Sequence, residues 1–88
     1  MKKISEVIAD TWGVPKDVIM DIPLITISGD REVYIENHKG ITEYGGGVIR
    51  VSTGIGTVKI QGKNLEITVI RREDILVSGR FMKIEYEV

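Results

Sequence analysis

The chain has 88 residues, of which 42% are hydrophobic and 28% charged, with 12 basic and 13 acidic side chains and no cysteine. This length predicts one domain over residues 1–88, and a net charge of −1 without long runs of one sign excludes the basic field typical of duplex nucleic-acid binding. The lack of cysteine excludes a disulfide framework and a thiolate zinc site, and no apolar run is long enough to span a membrane.

Residues 1–22 predict an N-terminal helical segment. Its apolar side chains recur at helical spacing and share one face: Ile4, Val7, Ile8 and Trp12. Gly13 is expected to end this helix, and a second short helix or turn is expected from Pro15. That second element must end before Pro23, because the residue preceding a proline avoids helical angles.

From residue 23 onward the pattern changes to β-branched strands separated by glycine. Three tetrapeptides with glycine in second position are typical of two-residue hairpin loops: 28–31, 61–64 and 78–81. The middle loop would place Ile60 opposite Leu65 and oppositely charged side chains opposite each other on the other face. The last would place Val77 opposite Met82, and the first would place Leu24 opposite Ile35.

One further strand and two further turns complete the fold prediction. Ile49 and Val51 alternate with polar residues in a strand over residues 48–53, followed by a turn at 53–57, and residues 71–74 form a charged turn. We predict a mostly β fold, in which residues 23–88 form an antiparallel meander of seven or eight short strands. The meander is expected to curl into a small barrel or sandwich, with a short solenoid as an alternative.

His38 is the single histidine, within the segment Glu36-Asn37-His38-Lys39-Gly40. A base or ligand role, with Glu36 orienting the ring, is one interpretation. The structural alternative, which we favour, is that Asn37 and His38 satisfy backbone groups at a turn that Gly40 permits. A metal site would need further histidine or cysteine ligands, which the chain lacks.

Other candidate sites have weaker support. Ser52 and Thr53 lack a triad-like context, and the glycine-rich stretches at 45–47 and 54–56 lead into no phosphate-binding helix. Trp12 could stack on a base, although its place on the apolar helix face favours a core position. We therefore expect no catalytic residues, no metal, no cofactor and no enzymatic activity, and we predict a partner-binding surface at Trp12, Asn37, His38 and Lys39.

The order of segments resembles the YabP/YqfC family of sporulation proteins, in particular its YqfC branch. The two most specific segments are Asp21-Ile22-Pro23 and Glu36-Asn37-His38-Lys39-Gly40. The resemblance continues through Ile49-Arg50-Val51-Ser52-Thr53, Gln61-Gly62-Lys63-Asn64-Leu65-Glu66-Ile67, Glu73-Asp74-Ile75-Leu76-Val77-Ser78-Gly79 and Ile84-Glu85-Tyr86.

This resemblance implies a role in endospore formation in the mother-cell cytoplasm, either free or peripheral to the forespore membrane or the spore coat. It supplies no catalytic residues. The expected function is that of a structural or adaptor protein that binds another sporulation protein, which could itself be membrane-associated, or a second copy of itself. Neither nucleic acid nor direct membrane insertion is expected. The alternative is a small β-barrel that binds a ligand or single-stranded nucleic acid.

Overall fold

The computed structural model describes residues 22–88 and contains six β-strands and, in this range, no helix. The strands are β1 (Leu24–Ser28), β2 (Glu32–Glu36), β3 (His38–Tyr44), β4 (Val48–Thr53), β5 (Gly56–Ile70) and β6 (Asp74–Glu87). All pairings are antiparallel, in the order β1-β2-β6-β5-β4-β3. The mostly β, antiparallel prediction is therefore confirmed, whereas the predicted N-terminal helical segment lies, apart from its last residue Ile22, outside the described residues.

The connectivity differs from a simple meander. Strands β3 to β6 are neighbours in chain order, as predicted, but β2 pairs with β6 and carries β1 on its other side. The two ends of the sheet, β1 and β3, do not pair with each other in residues 22–88. The sheet is therefore not closed into a barrel.

A very short crossover shows that the sheet bends back on itself. Asn37 alone separates β2 from β3, yet β6, β5 and β4 lie between those two strands in the sheet. In a flat sheet the four inter-strand spacings from β2 to β3 would add to roughly 19 Å. The chain covers only two Cα–Cα steps, each about 3.8 Å, between the last residue of β2 and the first residue of β3. The sheet must therefore curve so that β2 and β3 approach each other around a shared interior.

That interior is a single aliphatic core. Alternate residues of the strands point into it, and its members are each at most 4% exposed: Val33, Ile35, Ile49, Val51, Val58, Ile60, Leu65, Ile75 and Val77. Most are β-branched, as expected for side chains that pack on a pleated surface. At roughly 25 cal/mol per Å² of buried apolar area, this cluster is the main stabilising element of so small a fold.

The predicted hairpin loops at 62–63 and 79–80 are wrong. Both lie inside the long strands β5 and β6, which form one hairpin of 15 and 14 residues. Ile60 pairs with Ile84 instead of Leu65, and Val77 pairs with Ile67 instead of Met82. Because four predicted short strands merge into two long ones, the sheet has six strands instead of seven or eight.

Glycine is needed at these two positions because the backbones meet closely where the long hairpin bends. A Cβ at Gly62 would overlap the carbonyl oxygen of Arg80. A Cβ at Gly79, which has φ of +141°, would lie 2.7 Å from the carbonyl oxygen of Asn64. Register shifts flank this point of the β5–β6 ladder, and Asn64 itself has φ of +54°. The bend is thus a pair of bulges that redirects two strands together.

The tips of the two shorter hairpins dock on this bend. The Gly62 amide donates to Gly47 O at 3.1 Å, next to the tip that joins β3 to β4. The Gly79 amide donates to Arg31 O at 3.1 Å, at the tip that joins β1 to β2. Each glycine of the central hairpin therefore anchors one of the outer hairpins.

The first predicted turn is present, but its register is shifted by one residue. Arg31 N donates to Ser28 O at 3.2 Å and Gly29 has φ of +57°, as a turn over 28–31 requires. Strand pairing nevertheless sets Ile25 opposite Ile35, so the predicted Leu24–Ile35 pair is wrong. The loop therefore holds three residues, 29–31, instead of two, and the carbonyl of Arg31 accepts the hydrogen bond from the Gly79 amide of β6. The predicted turns at 53–57 and 71–74 match the connections that follow β4 and β5.

Candidate functional site

The crossover between β2 and β3 is fastened to the turn that joins β5 to β6. We call Asn37, His38, Arg71 and Glu73 the crossover cluster. The amides of Asn37 and His38 both donate to Glu73 O, at 2.6 and 3.2 Å. Asn37 has φ of +64°, a left-handed conformation that asparagine tolerates better than most residues. This geometry lets one residue carry the chain from β2 to β3, which are four strand spacings apart in the sheet order.

The imidazole of His38 completes the crossover cluster. His38 as a whole is 9% exposed, and its ring Nδ1 accepts a hydrogen bond from the Gly40 amide at 3.0 Å. Its Nε2 lies 3.0 Å from Arg71 O, an acceptor, so the hydrogen-bond pattern assigns the neutral ring with the proton on Nε2. Gly40 has φ of +130°. These contacts are the ones that the structural interpretation of His38 predicts.

The other predicted partner-binding residues lie in different settings. Lys39 is exposed next to the buried His38, and Trp12 lies outside the described residues. Asn37 is partly buried, and its Nδ2 donates to Ile22 O at 3.1 Å. Ile22, from the first of the two most specific segments of the sequence, therefore contacts the second segment, 36–40, here. Partner binding by Trp12, Asn37, His38 and Lys39 stays a prediction.

A tyrosine that the sequence did not single out lies beside this cluster. The Tyr34 hydroxyl donates a short hydrogen bond to Asp74 Oδ2, which also receives Arg71 Nη1 at 3.2 Å. The hydrogen bond to Asp74, followed by burial, raises the pKa of Tyr34 to about 12. The only sequence signal was the charged turn at 71–74, which gave no indication that a tyrosine 40 residues away would reach it. The bond couples β2 to the β6 end of that turn.

The outer face of the sheet from β3 through β4 and β5 to the end of β6 is charged. Arg50 lies between Glu43 and Glu87 and forms ion pairs with both, the second at 2.8 Å. The hydrogen bond from Arg50, with the attraction of Arg50 and Lys59, lowers the pKa of Glu87 below its ordinary value of 4.5. Exposed pairs of this kind are worth little individually. This face is a solvated surface with its charges largely matched.

The outer edge of β1 has a different character. Its sequence, Leu-Ile-Thr-Ile-Ser, contains no charged residue, and its ladder with β2 is regular over all five residues. Ile25 packs against the core, while Ile27 on the same face is 52% exposed. No strand among residues 22–88 pairs with the outer side of β1. Edge strands usually carry charges, prolines or bulges that prevent further pairing, and β1 carries none of these.

The described residues contain neither a cluster of metal-ligating side chains nor a helix of membrane-spanning character. Within 22–88 no three or more histidine or acidic side chains are grouped so that they could hold a metal ion. The same part of the chain has no helix that is long and apolar enough to cross a membrane.

Comparison with known proteins gives two matches. The sequence model of the YabP family matches residues 23–88, which is the whole of the sheet. The chain is also 38% identical over 73 residues to a Bacillus subtilis (strain 168) protein named "Uncharacterized protein YqfC". That alignment covers 83% of this chain and 78% of the relative. No solved structure matches the chain.

Proposed function

This chain belongs to the YabP family, and on that premise we propose that it is a structural or adaptor protein of endospore formation that acts by binding another protein. The proposal takes its cellular setting from the family resemblance and its mode of action from the surface of the sheet. The setting is the mother cell of a sporulating bacterium, either in the cytoplasm or at the forespore membrane or spore coat through a partner.

The regular, uncharged outer edge of β1 carries this proposal. Backbone donors and acceptors along such an edge can pair with an extended segment of another protein, which adds a strand to the sheet. Ile27, 52% exposed on the core-facing side of β1, offers apolar area that an added strand would cover. The contact therefore combines main-chain hydrogen bonds with burial of a branched side chain.

The polar residues of the crossover cluster support the edge of β1 indirectly. His38 uses both ring nitrogens in hydrogen bonds within the chain, to Gly40 and Arg71. Such bonds hold the crossover in place, and the crossover holds β2, on which β1 lies. We therefore assign His38 a positioning role, in which it keeps the outer edge of β1 in place, and we assign it no catalytic role.

Co-purification from sporulating cells tests the proposal. A tagged wild-type chain should retain a specific protein, identified by mass spectrometry, that is lost when Ile27→Lys places a charge at the edge. The matched control is Ile55→Lys, which adds the same charge at a side chain that is 47% exposed in the β4–β5 turn. Capture that is equal for the two variants, or absent for the wild-type chain, would contradict binding through β1.

A further inference from the structure

We propose that the outer edge of β1 pairs with the same edge of a second copy of this chain, antiparallel about a two-fold axis at Thr26. This inference rests on the proposed function, since it uses the same edge, and it names a second copy as the partner. It extends the six-stranded sheet of each copy into one continuous sheet across the dimer.

The sequence of β1 is self-complementary in this arrangement. With Thr26 on the axis, each Ile25 faces Ile27 of the other copy on the core side of the sheet. On the outer side, the two Thr26 residues face each other, and threonine pairs can hydrogen-bond across strands. β1 contains no charged residue, so the pairing sets no like charges opposite each other. The chain's net charge of −1 gives only weak long-range repulsion between copies.

The other open strand edges in residues 22–88 are less suited to pairing. β3 has two register irregularities and Gly40 at φ of +130°, which interrupt a regular ladder. β6 beyond Met82 carries Lys83, Glu85 and Glu87. The last part of β5 already donates amides to the β3–β4 tip, Leu65 N to Gly46 O at 2.9 Å and Ile67 N to Tyr44 Oη at 3.1 Å.

This contrast between edges also predicts how assembly ends. If β1 were to pair with β3 of the next copy, the contact would be head-to-tail and could propagate into a filament. Because β3 is irregular and β1 is regular, the like-with-like pairing is favoured, and it closes after two copies. A five-residue strand pair is a small contact, so we expect a reversible dimer that dissociates on dilution.

The first test measures the mass of the full chain in solution as a function of concentration, by light scattering on a sizing column and by sedimentation. We expect the wild-type mass to rise from 9.8 kDa towards twice that value, and Ile27→Lys to raise the dissociation constant at least about tenfold. Ile55→Lys should dimerise like the wild type. A wild-type mass that stays at one chain up to about 0.1 mM, or equal weakening by both variants, overturns the proposal.

The second test does not depend on a charged edge variant folding. The chain has no cysteine, so Thr26→Cys introduces a single thiol at the proposed axis, where directly opposed strand residues approach closely enough for a disulfide. Mild oxidation should give a covalent dimer for Thr26→Cys and much less for Thr42→Cys, an exposed position on the β3 edge. Equal cross-linking of the two variants, or none in Thr26→Cys, contradicts the pairing.

The two proposals can fail separately. If the purified chain is monomeric but a specific partner is captured by the wild type and lost in Ile27→Lys, the self-pairing is wrong and the adaptor function stands. If the chain dimerises through β1 and captures nothing else from sporulating cells, the self-pairing stands and the adaptor function is wrong.

Discussion

The sheet is turned back on itself at two places that work by different physics. At the bend of the β5–β6 hairpin, Gly62 and Gly79 leave out a side chain where another backbone needs the space. At the β2–β3 crossover, His38 adds a side chain whose two hydrogen bonds fasten the chain to the opposite turn. The bend that depends on the missing side chain of glycine should tolerate no larger residue. The crossover that depends on two hydrogen bonds should instead lose stability in steps, as each bond is removed.

The largest effect is expected from Gly62→Ala. The new Cβ would overlap the Arg80 carbonyl oxygen, so the central hairpin must shift and carry the docked β3–β4 tip with it. We expect a loss of about 3–5 kcal/mol in the free energy of unfolding, a large share of the stability of a domain this small. Chemical denaturation followed by circular dichroism measures it.

The matched control for the bend is Gly46→Ala. A Cβ there meets nothing within 4 Å, and the carbonyl of residue 46 remains available to Leu65. The change should stay within about 0.5 kcal/mol. Similar losses in Gly46→Ala and Gly62→Ala would show that lost glycine flexibility matters more than the close approach, and the steric account of the bend would be wrong.

The crossover should respond in smaller, separable steps. His38→Ala leaves the Gly40 amide and Arg71 O without their imidazole partner in a nearly buried place, and we expect it to cost about 2–3 kcal/mol. His38→Asn restores an acceptor near the Nδ1 position and His38→Gln a donor near Nε2, so each should recover part of the loss. Unfolding curves of the three variants, with exposed Lys39→Ala as the reference, measure this series. Equal losses in all three His38 variants would contradict the two-bond account.

Tyr34 extends the crossover region and supplies a pH signature. Tyr34→Phe removes the hydroxyl that donates to Asp74 and should cost about 1–2 kcal/mol at neutral pH. Because the pKa of Tyr34 is raised from 10.0 to about 12 in the fold, its contribution is complete below pH 10 and is lost as pH rises towards 12. Ultraviolet titration should show that Tyr34→Phe removes a phenol that ionises late. A wild-type titration without that late step would contradict the bond.

The bend also explains how far the sequence could predict this fold. Ile60 and Leu65 both lie in the core although they are five residues apart, a separation that would place them on opposite faces of a regular strand. The sequence shows this change of parity. A two-residue loop and a bulge near Asn64 both produce it, so the pattern alone does not distinguish them. Whether residues 61–64 form a loop or a bulge is decided by the strand that pairs with them, and that pairing is a long-range contact.

For the candidate site, too, the sequence predicted the local features and not the long-range contacts. The turn role of Asn37 and His38 follows from local chemistry, since asparagine tolerates left-handed angles and a histidine near glycine can bond to the backbone. Their acceptors, Glu73 O and Arg71 O, are more than 30 residues away in the chain and depend on the fold. The position of β1 at the end of the sheet formed by residues 22–88 was also hidden, because a sequence pattern identifies a strand but does not tell where the strand lies in the sheet order.

The smallest effect is expected from Glu87→Gln, which tests a polar contact outside both regions. The Arg50–Glu87 pair lies on the exposed charged face, so its loss should change stability far less than His38→Ala at neutral pH. Arg50 lowers the pKa of Glu87 below 4.5, so the pair contributes above that pH and its contribution disappears as pH falls through the lowered value. The stabilities of wild type and Glu87→Gln, measured from pH 7 down to about pH 3, should therefore converge. If Glu87→Gln instead lowered the free energy of unfolding as much as His38→Ala does, burial would not make the polar contacts of His38 stronger than exposed ones. The contrast between buried and exposed polar contacts would then be wrong.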